Sequence, residues 1–231
     1  HIMLSYTKYM STRLNEHQDD KKAKWLENYV KHDIKSLGVG IPIIREILKT
    51  AEHKFELSKK SFTHQEQVLD ELMSNEYTEF KLAAILFIQL YGQSHPPEQL
   101  LALISNWFDK HWINDWNVCD WLCVRLLSPM VDNHPSITIN TFQLWNKDSY
   151  LWKARASLVP FAQCKTLQEH KNIIHELSRT LIQREERFCK TSVGWVMREI
   201  SKFDQNYVES FLDDYDEWCT KEVIRNAKKY T

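Results

Sequence analysis

The chemistry-bearing residues of this chain gather around a few tryptophans set among polar neighbours. In the string NDWNVCDW, Asp120 follows Trp116 by four residues. On a helix that spacing puts the two side chains on one face, about a turn apart. Asp120 has apolar neighbours in Val118, Cys119, Trp121 and Leu122. On periodicity alone it is either a solvated point on an amphipathic helix or a carboxylate placed for a purpose. Trp152 in DSYLWKARAS stands near an expected helix start, with Lys153 and Arg155 beside it. Trp195 in TSVGWVMRE follows Gly194, a residue that permits close approach, and precedes Arg198 by three. Arg184, Arg187 and Lys190 surround another helix start. Each aromatic is also an ordinary core candidate, and each cation an ordinary surface charge. Gathered on one face, the cations would neutralise phosphates.

Other chemistries find no support. The sequence has no phosphate-cradling glycine loop, no HExxH and no GxSxG, and Cys164 has no obvious histidine partner for thiol catalysis. The five cysteines are odd in number and irregular in spacing. They read as reduced, buried or half-buried thiols, which implies a reducing compartment: a cytoplasm, or a nucleus in a eukaryote. No metal or organic cofactor is implied. No run approaches the roughly 18 apolar residues of a membrane-spanning helix. A net charge of -1 argues against a wholly basic coating protein, but the 30 lysines and arginines suffice for one basic face.

The elements that must hold these residues are helices. Of 231 residues, 43% are hydrophobic and only 4 are glycine, which suits helices better than sandwiches, barrels or dinucleotide folds. Apolar residues recur at three- and four-residue spacing nearly throughout. Leu26, Tyr29, Val30 and Ile34 form one stripe, and Ile41 to Phe55 carries another, opened by Pro42 at a first-turn position. A short helix is marked by Val68, Leu69 and Leu72. The segment from Phe80 to Tyr91 is apolar nearly all round and is expected to be a buried central helix stopped at Gly92. Later helices are expected over Leu100–Trp107, Trp116–Met130 with Asn114 or Asp115 as N-cap, Thr138–Trp145, a span capped by Asp148 or Ser149 through Phe161, Leu167–Ile182, Phe188–Phe203, and a final pair over Tyr207–Tyr215 and Thr220–Lys229. A repeat near forty residues is visible from about Leu100. The expected fold is all-α: one domain over residues 3–231, built as a solenoid of antiparallel helix pairs, with His1 and Ile2 as a cloning remnant.

Several strings resemble the AlkD type of HEAT-like DNA glycosylases: SVGWVMREISK, DWNVCDW and LWKARASL, supported by YVKHDIKSLGVGIPIIREILK and EFKLAAILFIQLY. They occur in the family's order over roughly residues 20 to 230. Asn117 stands where the family has a second aromatic, and of an early pair of arginines only Arg45 is present. The resemblance implies a HEAT-like solenoid with a concave DNA-binding face. It implies a DNA glycosylase of base excision repair that hydrolyses the N-glycosidic bond of N3- or N7-alkylated purines in duplex DNA, without flipping the base into a pocket. It assigns Asp120 as the catalytic carboxylate. Trp116, Trp195 and Arg155 fall at its DNA- and site-facing positions, with Trp152, Lys153, Lys190 and Arg198 as further candidate contacts. A monomer acting on double-stranded DNA is expected. Two alternatives fit the residues: a non-catalytic relative that binds branched or distorted DNA, and a helical protein-binding scaffold.

Overall fold

The computed structural model describes residues 2–31 and 34–231; His1, half of the expected remnant, lies outside them. The protein is all-α, with no strand among the described residues beyond one isolated bridge between Lys35 and Tyr77. Its residues fall into two compact units, 1–121 and 122–231.

The first unit contains α1 (Ser5–Glu16), α2 (Asp20–Val30), α3 (Ile41–Phe55), α4 (Phe62–Met73), α5 (Thr78–Tyr91), α6 (Pro97–Asp109) and most of α7 (Trp116–Leu122). As its composition requires, α5 is the buried centre: residues 78–88 are all buried, and α3 and α4 pack on it. Helix α1 went unforeseen because its polar positions dilute the apolar stripe. It still buries Tyr6, Met10 and Leu14 against α3 and α4. The stripe expected through Tyr29 and Ile34 breaks early. Helix α2 ends at Val30 because Lys31 takes a left-handed conformation (φ 59°), and Tyr29 points outward.

The loop from α2 to α3 is organised by a carboxylate. Glu79, only 1% exposed, accepts from the Ser36 hydroxyl (2.7 Å), the Leu37 N–H (2.7 Å) and the Val39 N–H (3.4 Å). Ser36 N–H donates to Glu27, and Gly38 N–H to the Ser36 hydroxyl. The N–H groups of the loop thus find their acceptors within the protein, as buried backbone must. Gly38 sits at φ +75°, where a Cβ would lie 2.0 Å from the Asp19 carbonyl oxygen.

The second unit follows with a π-helical segment (Cys123–Leu127), α8 (Ser128–Asn133), α9 (Pro135–Trp145), α10 (Leu151–Arg155), α11 (Pro160–Gln163), α12 (Lys171–Ile182), α13 (Arg187–Ser201), α14 (Gln205–Asp214) and α15 (Lys221–Ala227). The helix expected over Trp116–Met130 is therefore three pieces. Pro129 has no N–H to give the turn before it, and the wider π turn accommodates that loss. The Ser128 hydroxyl contacts the Cys123 and Pro160 carbonyls (3.1 and 2.7 Å). The helix expected through Phe161 divides at residues 156–159, ahead of Pro160, for the same reason. Its cap also differs: Asp148 accepts from Tyr150 N–H in a turn, and Tyr150 precedes the helix with no side-chain cap. Gly194 does admit a close neighbour, but that neighbour is α15, with Val223 O 3.3 Å from where a Cβ would be.

Two buried lysines act as staples. Lys81 Nζ donates to the carbonyls of Met73 (2.8 Å) and Trp112 (2.6 Å), which caps the last residue of α4. Lys190 Nζ donates to the carbonyls of Ile182 (2.6 Å) and Trp218 (2.7 Å), which caps the last residue of α12. In both cases the lysine follows the capped residue by eight positions. All five cysteines are free thiols, four of them buried. Burial pushes the Cys164 and Cys189 thiols up to about 11.

Stability should respond to both the glycine and the staple. Gly38→Ala is expected to lower unfolding free energy by about 3 kcal/mol or more in urea titrations, since it combines a dihedral that side-chain-bearing residues rarely adopt with a backbone clash. Lys81→Met leaves two carbonyls without their donor and is expected to cost about 1–3 kcal/mol at pH 7. Burial lowers the Lys81 amine from 10.5 to about 8. Between those pH values the unfolded chain holds the proton and the folded chain does not, so wild-type stability gains with rising pH. The wild-type advantage over Lys81→Met should therefore widen from about pH 8 to 10.5; a difference that is flat with pH would show that Lys81 is not depressed.

Candidate nucleic-acid interface

The site builds upward from the start of α7. Asp115, buried, caps that helix by accepting from Val118 N–H at 2.9 Å, which makes it rather than Asn114 the cap. This fixes the register in which Trp116 and Asp120 share a face. The Trp116 indole N–H donates to the Val30 carbonyl at 2.9 Å, so the last turn of α2 holds the ring. Tyr29 meets Trp116 edge to face, with centroids 5.4 Å apart at 70°. Trp25 in turn lies parallel to Tyr29 at 5.1 Å and 6°. Trp25 and Tyr29 are 65% and 55% exposed, the most open aromatic rings described in this unit. Trp116 and Asp120 are half-buried.

Sequence reasoning missed Trp25 and misplaced Tyr29 in the core. Their signal was the spacing of four in DDKKAKWLENY, which stacks two rings on one helix face. The same string supplies Lys21, Lys22 and Lys24, all exposed. An exposed aromatic stack flanked by cations is the surface that bases and phosphates favour.

In the second unit the structure brings Arg155 and Trp195 together. The Arg155 guanidinium is buried. It donates from Nη1 to Phe188 O (2.9 Å) and to the Thr191 hydroxyl (3.1 Å), and lies 6.0 Å from the Trp195 ring centroid. Trp195 is half-buried, and its indole N–H points inward without a hydrogen-bond partner. Packing and the nearby guanidinium, rather than a tethered N–H, therefore hold this ring.

The remaining candidates are positioned for other work. Trp152 is buried and packs on Phe188 at 4.9 Å. Lys153 is buried, 3.7 Å from Asp148 and 5.9 Å from the Trp145 ring. Lys190, 9% exposed, is the staple described above and not a phosphate contact. Arg184 is committed to Glu186 and to the carbonyls of Asp148 and Ser149, and Arg187 to both oxygens of Glu222. Arg198 pairs with Glu199 at 3.3 Å near the Tyr230 ring. Of these cations Lys153, Arg155 and Lys190 are buried, while Arg184, Arg187 and Arg198 keep part of their side chains open to solvent beside their carboxylate partners. Among the described residues no group of three or more His, Cys, Asp or Glu is placed to hold a metal, and no helix is long and apolar enough to cross a membrane.

A family model described as DNA alkylation repair enzyme matches residues 10–231. The chain belongs to the DNA alkylation repair enzyme family. Membership makes it a DNA-repair enzyme by family, with DNA as the implied partner. A solved structure described as a predicted DNA alkylation repair enzyme from Enterococcus faecalis shares the fold at a TM-score of 0.78 and 19% identity, covering 92% of this chain and 96% of that one. A comparison with curated proteins gives no match.

These placements predict two different mutant phenotypes. Alanine at Lys21, Lys22 and Lys24 should flatten the salt dependence of DNA binding by about 0.9 in log–log slope for each phosphate that is no longer neutralised. Lys190→Met should leave that slope unchanged and lower thermal stability instead. The reverse assignment, with the slope reduced by Lys190→Met, would place the phosphate path on the second unit's staple.

Proposed function

We propose that this DNA alkylation repair family member is a glycosylase that hydrolyses the N-glycosidic bond of N3- or N7-alkylated purines in duplex DNA. The observation that carries the reading is the Trp116–Asp120 pair: a carboxylate and an indole one turn apart, with the indole locked to the Val30 carbonyl and flanked by an open aromatic stack. Alkylation at N3 or N7 makes the purine cationic, hence a good leaving group. As the C1′–N bond lengthens, its electron pair goes to the departing base and the sugar becomes oxocarbenium-like. Asp120 supplies a fixed negative charge to that sugar and orients a water, whose oxygen bonds to C1′ while its proton leaves to the carboxylate or solvent. The face of Trp116 suits contact with deoxyribose or an electron-poor base, and the Trp195 ring offers the same chemistry in its own unit. Arg155 serves this reading by holding the Trp195 ring in place.

The burial of Lys153, Arg155 and Lys190 beside internal partners favours a second reading, a family member that binds distorted DNA without cleaving it. One assay separates the two. Duplex DNA carrying N7-methylguanine or N3-methyladenine is incubated with enzyme, and free base is measured in single turnover. Wild type should release base, and Asp120→Asn should be slower by about a hundredfold or more, the scale for losing a group aimed at transition-state charge. No release by a folded wild type that binds DNA in a salt-sensitive manner would overturn the glycosylase in favour of the binding protein.

A further inference from the structure

Beside the aromatic stack, on the flank of α7 next to the Trp116–Asp120 face, the first unit carries an open cavity of about 370 Å³. This is within the range of small-molecule sites, about 300–1,000 Å³. Its walls are apolar: Trp25 and Leu26 from α2, Val39 and Ile41 from the loop and start of α3, Leu82 from α5, and Trp121 from α7. Two of these are indoles, so a flat ring finds aromatic surface to pack on. Three polar side chains complete the lining: Glu79, Lys22 and Asn117. The Glu79 carboxylate is engaged by the Ser36 hydroxyl and two loop N–H groups, so most of its hydrogen-bonding capacity is taken by the protein. Lys22 lines the cavity from an exposed position and would repel a cationic guest. Asn117 brings a side-chain amide, with donor and acceptor side by side. A paired amide donor and acceptor is the complement of a purine edge.

We propose that this cavity binds a free, neutral purine base, and that its occupant is the leaving group of the reaction proposed above. The second clause rests on that reaction; the first does not. The lesion is cationic while attached to DNA, but the base is neutral once the glycosidic electron pair has returned to it. An apolar slot with Lys22 at its edge suits the neutral product. Asn117 becomes the residue that reads the base edge.

The test is ligand-observed saturation-transfer NMR with free 3-methyladenine against wild type, Leu26→Trp and Asn117→Leu, each checked by thermal melting. Leu26→Trp fills the slot; Asn117→Leu keeps its volume and removes the amide. Saturable binding by wild type, weakened on the order of tenfold or more in either variant, is expected, as for loss of one group from a fitted pocket. Absence of saturable binding, or binding unchanged in both folded variants, overturns the site. Base release from alkylated duplex is measured in parallel. Release without binding overturns the inference and leaves the reaction standing. Binding without release keeps the purine site and removes its link to that reaction.

Discussion

The first unit depends on the burial of one carboxylate. Glu79 sits at the start of the central helix, where its charge would be costly unless fully hydrogen-bonded. Its oxygens are met by donors from the loop over Ser36 to Val39, and that loop consequently has one conformation. Fixing the loop fixes both its ends. At one end, Leu37 O accepts from Asp19 N–H, which sets where α2 begins and so where Trp25 and Tyr29 project. At the other, Gly40 starts α3. The aromatic stack, the grip of Val30 on Trp116 and the cavity wall are downstream of this arrangement. Glycine at position 38 is needed because the chain must pass the Asp19 carbonyl with no side chain between.

A second device operates in each unit. A lysine eight residues beyond a helix end returns its ammonium to the final carbonyl of that helix and to a carbonyl further along the chain. Helix C-termini carry unpaired acceptors and partial negative charge, so a cation there substitutes for water while excluding it. The device joins three segments with one side chain, which a cap by glycine cannot do.

Helical architecture was legible in the sequence because periodicity reports burial directly. The all-apolar run of α5, the first-turn Pro42 of α3 and the cap before Trp116 are local signals, and the structure contains each. Of the candidate site, the Trp116–Asp120 spacing was legible for the same reason. The uses of Lys153 and Lys190 were not. A lysine in an amphipathic pattern reads as solvated, and only tertiary structure brings its acceptors to it. Tyr29 failed in the opposite sense: it fits an apolar stripe, but the left-handed residue at Lys31 ends α2 before the stripe can be buried. Trp25 was hidden by the charged residues around it in the sequence.

The thiols carry a consequence of a different kind. A member of this family works where electrophilic alkylating agents are present, and those agents attack sulfur as readily as bases. The reacting species is the thiolate. With Cys164 and Cys189 pushed up to about 11, only roughly one molecule in ten thousand carries either as thiolate at neutral pH. Packing that serves the hydrophobic core also leaves these two thiols chemically inconspicuous to alkylating agents.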